Sequence, residues 1–208
     1  MKTTGYIRAF TLVELLITMV VTGIILLAVT TLAFAMSSAS RTSDDTSVKE
    51  AQLRQTRLRI GELLRTCKLI CAAPGNDLAV WQTDTNDDGK INVGELVYIE
   101  GGDGLDTLQL CQFSPAESDV VTLESLAVAT TKASLVSKYT KSYARLIPVC
   151  QNVHFTLDAV PPFTRRLTIS FTLSENGAAH RHEMSVTLRA WAGNLLSSDG
   201  TTLVSDDD

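Results

Sequence analysis

Histidine is scarce in this sequence, and the gaps around it are informative. Only His154, His180 and His182 occur, none at a usual ligand spacing from a cysteine, so a zinc site is not expected. Positive charge is not in excess either. Eighteen Lys and Arg against 23 Asp and Glu leave a formal charge of -5, which gives no sign of a general nucleic-acid binder, and no nucleic-acid partner is expected. No nucleophile elbow or other catalytic frame organises the serines, aspartates and histidines. The "GGDG" run, Gly101 to Gly104, lacks the strand-loop-helix setting of a phosphate site. No enzyme is expected, and His180 and His182, alternating on a strand, read as a solvated face.

Long apolar runs are missing from the chain apart from one. Between Phe10 and Met36 the only ionisable side chain is Glu14, and roughly 27 residues at about 1.5 Å each span a bilayer core. Lys2 and Arg8 precede this block, whereas Arg41, Asp44 and Asp45 are the first charges after it. The positive-inside bias then puts the N-terminal tail in the cytoplasm and the bulk of the chain outside the inner membrane. A secretory signal cut after Ala35 or Ser40, at the small-residue patterns there, is a competing reading, although the block is long for one. It would release a secreted calcium-dependent binding module. A plain anchor explains the length but not Glu14, since an acid costs about 2.5 to 3.5 kcal/mol near the bilayer centre and less towards its edge.

The residues Phe10, Thr11, Leu12, Glu14 and Leu15, followed by Gly23 within a long apolar helix, resemble the type IV pilin-like proteins. In that family a short basic leader is removed by a prepilin peptidase and the new amine is methylated. The resemblance implies a leader of Met1 to Ala9, cleavage between Ala9 and Phe10, and N-methylation of Phe10. It also implies that Glu14 pairs with the N-terminal amine of a neighbouring subunit, offsetting its burial only in the assembled state. Where the family has glycine before the cut, this chain has Ala9. Partners implied are other pilin or pseudopilin subunits, the peptidase and the inner membrane, with the C-terminal domain in the periplasm and the subunit in a cell-envelope or extracellular filament.

After the block, "SSASRTSDDTS" (Ser37 to Ser47) is rich in residues that compete with helical hydrogen bonds, and fraying is expected there. Periodicity then returns. Leu53, Ile60, Leu64, Cys67 and Cys71 mark one face of an amphipathic helix expected to run within 37–75 and end at "AAPG", while Arg54, Arg57, Arg59 and Arg65 read as its solvated face. Residues 76–208 read as a β-rich globular domain. "LAVWQ", "ELVYIE", "TLQLCQF" and "VHFTLD" have strand character. Leu167, Ile169, Phe171 and Leu173, then "SENG", then Met184, Val186, Leu188 and Ala190 make a half-buried antiparallel hairpin. The stretch Leu123 to Ile147 is ambiguous and partly helical. The expected class is α+β, a long N-terminal helix packed on an antiparallel sheet, and the order of elements is similar to J-type minor pseudopilins and W-type minor pilins.

Cys67, Cys71, Cys111 and Cys150 all fall in the exported part, where disulfides can form; three complete pairings, or buried free thiols, remain open. "DTNDDGKINVGE" fits the twelve-residue calcium-loop pattern. Asp84, Asn86 and Asp88 alternate, Gly89 makes the sharp turn, Lys90 offers a backbone carbonyl, Asn92 acts directly or through water, and Glu95 closes the loop. Ile91 anchors it to the core. A polar turn without metal is the plainer alternative, but Asp84, Asp88 and Glu95 would then converge as like charges, so calcium is expected. The strand-like flanks exclude a helix-opening switch, and no second loop of the dockerin kind occurs.

Overall fold

The computed structural model describes residues 11–101, 106–147, 149–175, 177–189, 194–197 and 202–204, apart from the side chains of residues 41–45. Ala9, Phe10, Gly102 to Gly104 and Ala190 lie outside the described residues. The chain divides into two units, Met1–Ser47 and Val48–Asp208, and helix α1, Leu12–Thr66, contributes to both.

In the first unit, Leu12–Ser40 contains an 18-residue window of mean hydropathy 2.7 with none of it buried, and the segment is long and apolar enough to cross a bilayer. Its hydroxyls would be a liability in hydrocarbon, but they bond back to their own helix. Thr18 donates to the carbonyls of Glu14 and Leu15, Thr22 to Thr18, Thr30 to Leu26 and Leu27, and Thr31 to Ala28. The segment 37–47 is assigned helical rather than broken.

The second unit is built on antiparallel strands. β1 (Leu69–Ala72), β2 (Asp77–Trp81), β4 (Leu96–Glu100), β5 (Leu108–Phe113) and β7 (Lys141–Ile147) form a five-stranded sheet in that order. β8 (Gln151–Leu157), β9 (Arg166–Glu175) and β10 (Ala178–Thr187) form a second sheet, with β9 central. β3 (Ile91–Asn92) pairs with β6 (Val120–Val121), and α2 (Leu123–Leu126) and α3 (Ala129–Lys138) fill the ambiguous stretch.

Strand alternation sorts the core into two layers. Leu78 and Val80, Val97 and Ile99, and Leu108 and Leu110 face a cluster with Ile60 and Leu64 of α1 and with Leu167, Ile169 and Phe171 of β9. Ala79 and Trp81, Leu96 and Tyr98, and Cys111 and Phe113 face the opposite cluster, covered by Leu126 of α2 and Leu135 of α3. β4 is therefore buried on both faces.

One boundary differs from the sequence reading. The helix ends at Thr66, and Leu69–Ala72 is a strand. All four residues of β1 are buried, so they carry no period that separates strand from helix, and Cys71 prolonged the helical stripe by coincidence. A bulge between Ile70 and Ala72 interrupts the register with β2, which leaves Leu69, Cys71 and Ala72 in one cluster and Ile70 in the other.

Candidate functional site

The described chain opens with a cap. The Glu14 amide donates to Thr11 Oγ1 at 3.3 Å, the Thr11 hydroxyl donates back to Glu14 Oε2 at 3.4 Å, and the Leu15 amide reaches the Thr11 carbonyl at 3.2 Å. Thr11-x-x-Glu14 is thus a capping pair. It satisfies one orphan amide, that of Glu14, and sets a carboxylate at the positive end of the helix dipole. The T-x-x-E spacing carried this signal, and the sequence reading missed it.

The acidic loop lies between β2 and β4. Its turn needs positive φ at Asp87 (57°) and Gly89 (65°). Asp84, almost wholly buried, accepts from the amides of Asp88 (3.3 Å) and Gly89 (3.0 Å), with the Lys68 ammonium 3.4 Å away. The Asn92 amide group donates to Asn86 Oδ1 at 3.4 Å and to both Asp88 oxygens at 3.3 Å, and Asn86 Nδ2 donates to Asp88 Oδ2 at 3.0 Å. The Lys90 amide donates to Asp88 at 2.8 Å. That bond, with Asn92 and Asn86 assisting, holds the Asp88 carboxyl below its usual pKa.

Glu95 is arranged differently from the sequence expectation. The residue is only 5% exposed. Oε1 accepts from the Thr85 amide (2.6 Å) and hydroxyl (2.8 Å), while Oε2 accepts from Trp81 Nε1 (3.1 Å) and the Asn92 amide (3.4 Å). Asp84, Asp88 and Glu95 do not meet as bare like charges; each is wrapped in donors. Among the described residues no group of three or more His, Cys, Asp and Glu converges as a metal cluster. Thr85 and Trp81 were missed as partners because the loop pattern gives those positions no role.

The fit to a hard cation is therefore uneven. Asp84, Asn86 and Asp88 carry side-chain oxygens of the kind calcium takes, whereas Asn92 faces them with its nitrogen. Asn92 Oδ1 is buried without a hydrogen-bond partner, and turning that amide would bring an acceptor where a donor now faces Asp88 and Asn86. Glu95 would have to release bonded donors to join them.

The remaining candidates sort plainly. Cys67, Cys71, Cys111 and Cys150 are buried free thiols. Cys67 and Cys150 belong to one core cluster, Cys71 and Cys111 to the other. That second pair is separated by β2 and β4, three strand spacings of about 4.8 Å, against the 4.4–6.8 Å a disulfide spans. Burial pushes Cys67 up to about 12 and Cys111 and Cys150 to about 11. His180 is exposed, whereas His182 stacks on Phe171 and lies 3.0 Å from Glu175.

Beneath α3 lies a polar group that sequence gave no hint of. Lys132 Nζ is 2.6 Å from Asp77 and 3.0 Å from Glu100, two acids directly paired across β2 and β4. Burial alone would lower the Lys132 pKa; the two carboxylates reverse this and leave it raised.

Residues 6–30 match the family profile described as the prokaryotic N-terminal methylation motif. The N-terminal segment is type IV pilin-like, a prepilin-type motif on an apolar helix. No curated protein and no solved structure significantly matches the chain.

Proposed function

We propose that the chain is a minor pilin or pseudopilin, a structural subunit of a type II secretion or type IV pilus-like filament. The observation that carries this reading is the methylation motif at residues 6–30, set on an apolar helix whose early acid, Glu14, forms part of a helix cap. A prepilin peptidase cuts between Ala9 and Phe10 and the Phe10 amine is methylated. The helix from Leu12 holds the subunit in the inner membrane and then in the filament, with Glu14 pairing to a neighbour's amine. The domain from Val48 stands in the periplasm. J-type pseudopilins and W-type minor pilins are the subtypes its element order resembles.

Processing tests the reading. Intact-mass measurement and N-terminal sequencing of protein from cells with a prepilin peptidase give a start at N-methylated Phe10. A start after Ala35 or Ser40 sinks the pilin reading in favour of a released module. Ala9→Gly keeps the site, and a bulky residue at Ala9 blocks it.

Calcium is the cofactor of this reading, held by Asp84, Asn86, Asp88, the Lys90 carbonyl and Asn92, with Glu95 joining if its donors yield. The ion staples the β2–β4 connection rather than opening a switch. Saturation at about 100 times the dissociation constant adds roughly 2.7 kcal/mol, which a melting curve resolves as several degrees. No calcium-dependent shift up to about 10⁻² M, ten times the weak end of extracellular sites, leaves the loop as a turn.

A further inference from the structure

Three arginines of the second unit stand out against the chain's charge. Acids outnumber bases, 23 to 18, and several cations of the domain are paired: Lys68 with Asp84, Lys132 with Asp77 and Glu100, Lys138 with Asp119, Arg181 with Glu183. Arg57, Arg65 and Arg189 line one groove of about 540 Å³ with Leu58, Gly61 and Glu62. Among the described residues none of the three has an ion-pair or hydrogen-bond partner. Three cations with a single acid, Glu62, among them leave the groove net positive, and an external anion offsets their mutual repulsion.

The helix itself supplies an independent observation. Arg57, Gly61 and Arg65 are spaced by four, so they share one row of α1. Glycine in a helix interior is destabilising relative to alanine, yet a Cβ at Gly61 would meet no atom within 4 Å. No close packing inside the chain requires the glycine. It leaves a notch between two guanidinium groups, beside Leu58, which is 69% exposed.

We propose that this groove docks an acidic peptide segment of a neighbouring subunit, its carboxylates on Arg57, Arg65 and Arg189, an apolar side chain on Leu58 and its backbone close to Gly61. Guanidinium forks match carboxylates bidentately. Phosphates would satisfy them too, but the groove also presents the apolar Leu58 and contains Glu62, which penalises a dense polyanion. The neighbouring subunit as source rests on the filament reading above.

The test uses the full chain in dodecyl maltoside micelles and a fluorescein-labelled Asp-Asp-Leu-Asp-Asp peptide followed by polarisation. Saturable binding is expected, with each of Arg57→Ala, Arg65→Ala and Arg189→Ala weakening it about tenfold. Gly61→Leu abolishes it while melting no lower than the native chain, since leucine favours the helix, and a peptide with serine for aspartate does not bind. No binding at ~1 mM peptide, or binding indifferent to the three arginines and to Gly61→Leu, overturns the proposal. So does capture of phosphatidylglycerol vesicles or a short DNA duplex through the same arginines without capture of the peptide. The N-terminus is sequenced on the same preparation. Failed titration with a Phe10 start removes the groove and leaves the filament reading intact; peptide binding with another start overturns the neighbouring subunit as source.

Discussion

Replacing Glu95 by glutamine separates its two possible roles, because the substitution keeps the side chain's size and removes only its charge and one acceptor. In calcium-free buffer the Glu95 carboxylate takes two donors on each oxygen: the Thr85 amide and hydroxyl at 2.6 and 2.8 Å, and Trp81 Nε1 and the Asn92 amide at 3.1 and 3.4 Å. The glutamine carbonyl can serve the shorter pair. Its amide nitrogen then faces the Trp81 N–H, and both are donors. Losing a charge-assisted bond and stranding a buried donor costs roughly 3 to 5 kcal/mol. In a domain the size of Val48–Asp208, 1 kcal/mol moves a melting midpoint by about 2–4 °C, so the drop is on the order of 10 °C. Circular dichroism melts of the full chain in EDTA read it. Asp88→Asn is the comparison: it removes a proposed calcium ligand, and because its side chain is exposed the loss of its bonds to Lys90, Asn92 and Asn86 lowers the EDTA midpoint less than Glu95→Gln does. If Glu95→Gln melts within about 2 °C of native in EDTA, the carboxylate is not the clamp described here.

Three other outcomes are expected. Glu14→Leu inserts into the membrane at least as well as the native chain but enters filaments poorly; equal incorporation by immunogold counting, or failure to insert, contradicts the assembly role. Buried thiols with raised pKa values stay unlabelled by Ellman's reagent near pH 8 in the folded chain and give four equivalents after denaturation. Fewer than four reveals a disulfide. The Asp158 carboxyl, bonded by the Arg166 and Arg165 amides, and the Asp119 carboxyl, bonded by Tyr139 and Lys138, have lowered pKa values. Their stabilisation is present above about pH 4 and disappears as pH falls through the folded values. A Asp158→Asn variant therefore shows a shallower acid-side decline in urea midpoint, and an unchanged slope refutes this.

The parts of the fold that show one face to water were legible in sequence. Leu167 to Leu173 and Met184 to Val186 alternate because the second face of β10 is exposed and that of β9 carries Thr168, Ser170 and Thr172, and their register follows from that alternation. β1 was hidden for the opposite reason, having no exposed side. β7 was hidden because Lys141, Ser142 and Tyr143 are exposed and give a strand no apolar mark. At the loop, the alternating oxygens of Asp84, Asn86 and Asp88 were legible as a pattern. The hold on Glu95 was not, since Trp81 Nε1 and the Thr85 amide reach it through tertiary geometry that no spacing rule contains.

The burial of β4 on both faces has a consequence before the fold exists. Leu96 to Ile99 is apolar and strand-forming, the sort of segment that pairs with its own kind when exposed in an unfolded chain. Glu95 and Glu100 bracket it at either end. In the folded domain these two acids are costly guests, one wrapped by Thr85 and Trp81, the other held by Lys132 and Gln109. In the unfolded chain they are gatekeepers whose repulsion keeps copies of the segment apart. Light scattering during dilution from urea reads that role: Glu100→Gln aggregates faster than the native chain at equal concentration, and equal rates assign Glu100 to the folded state alone.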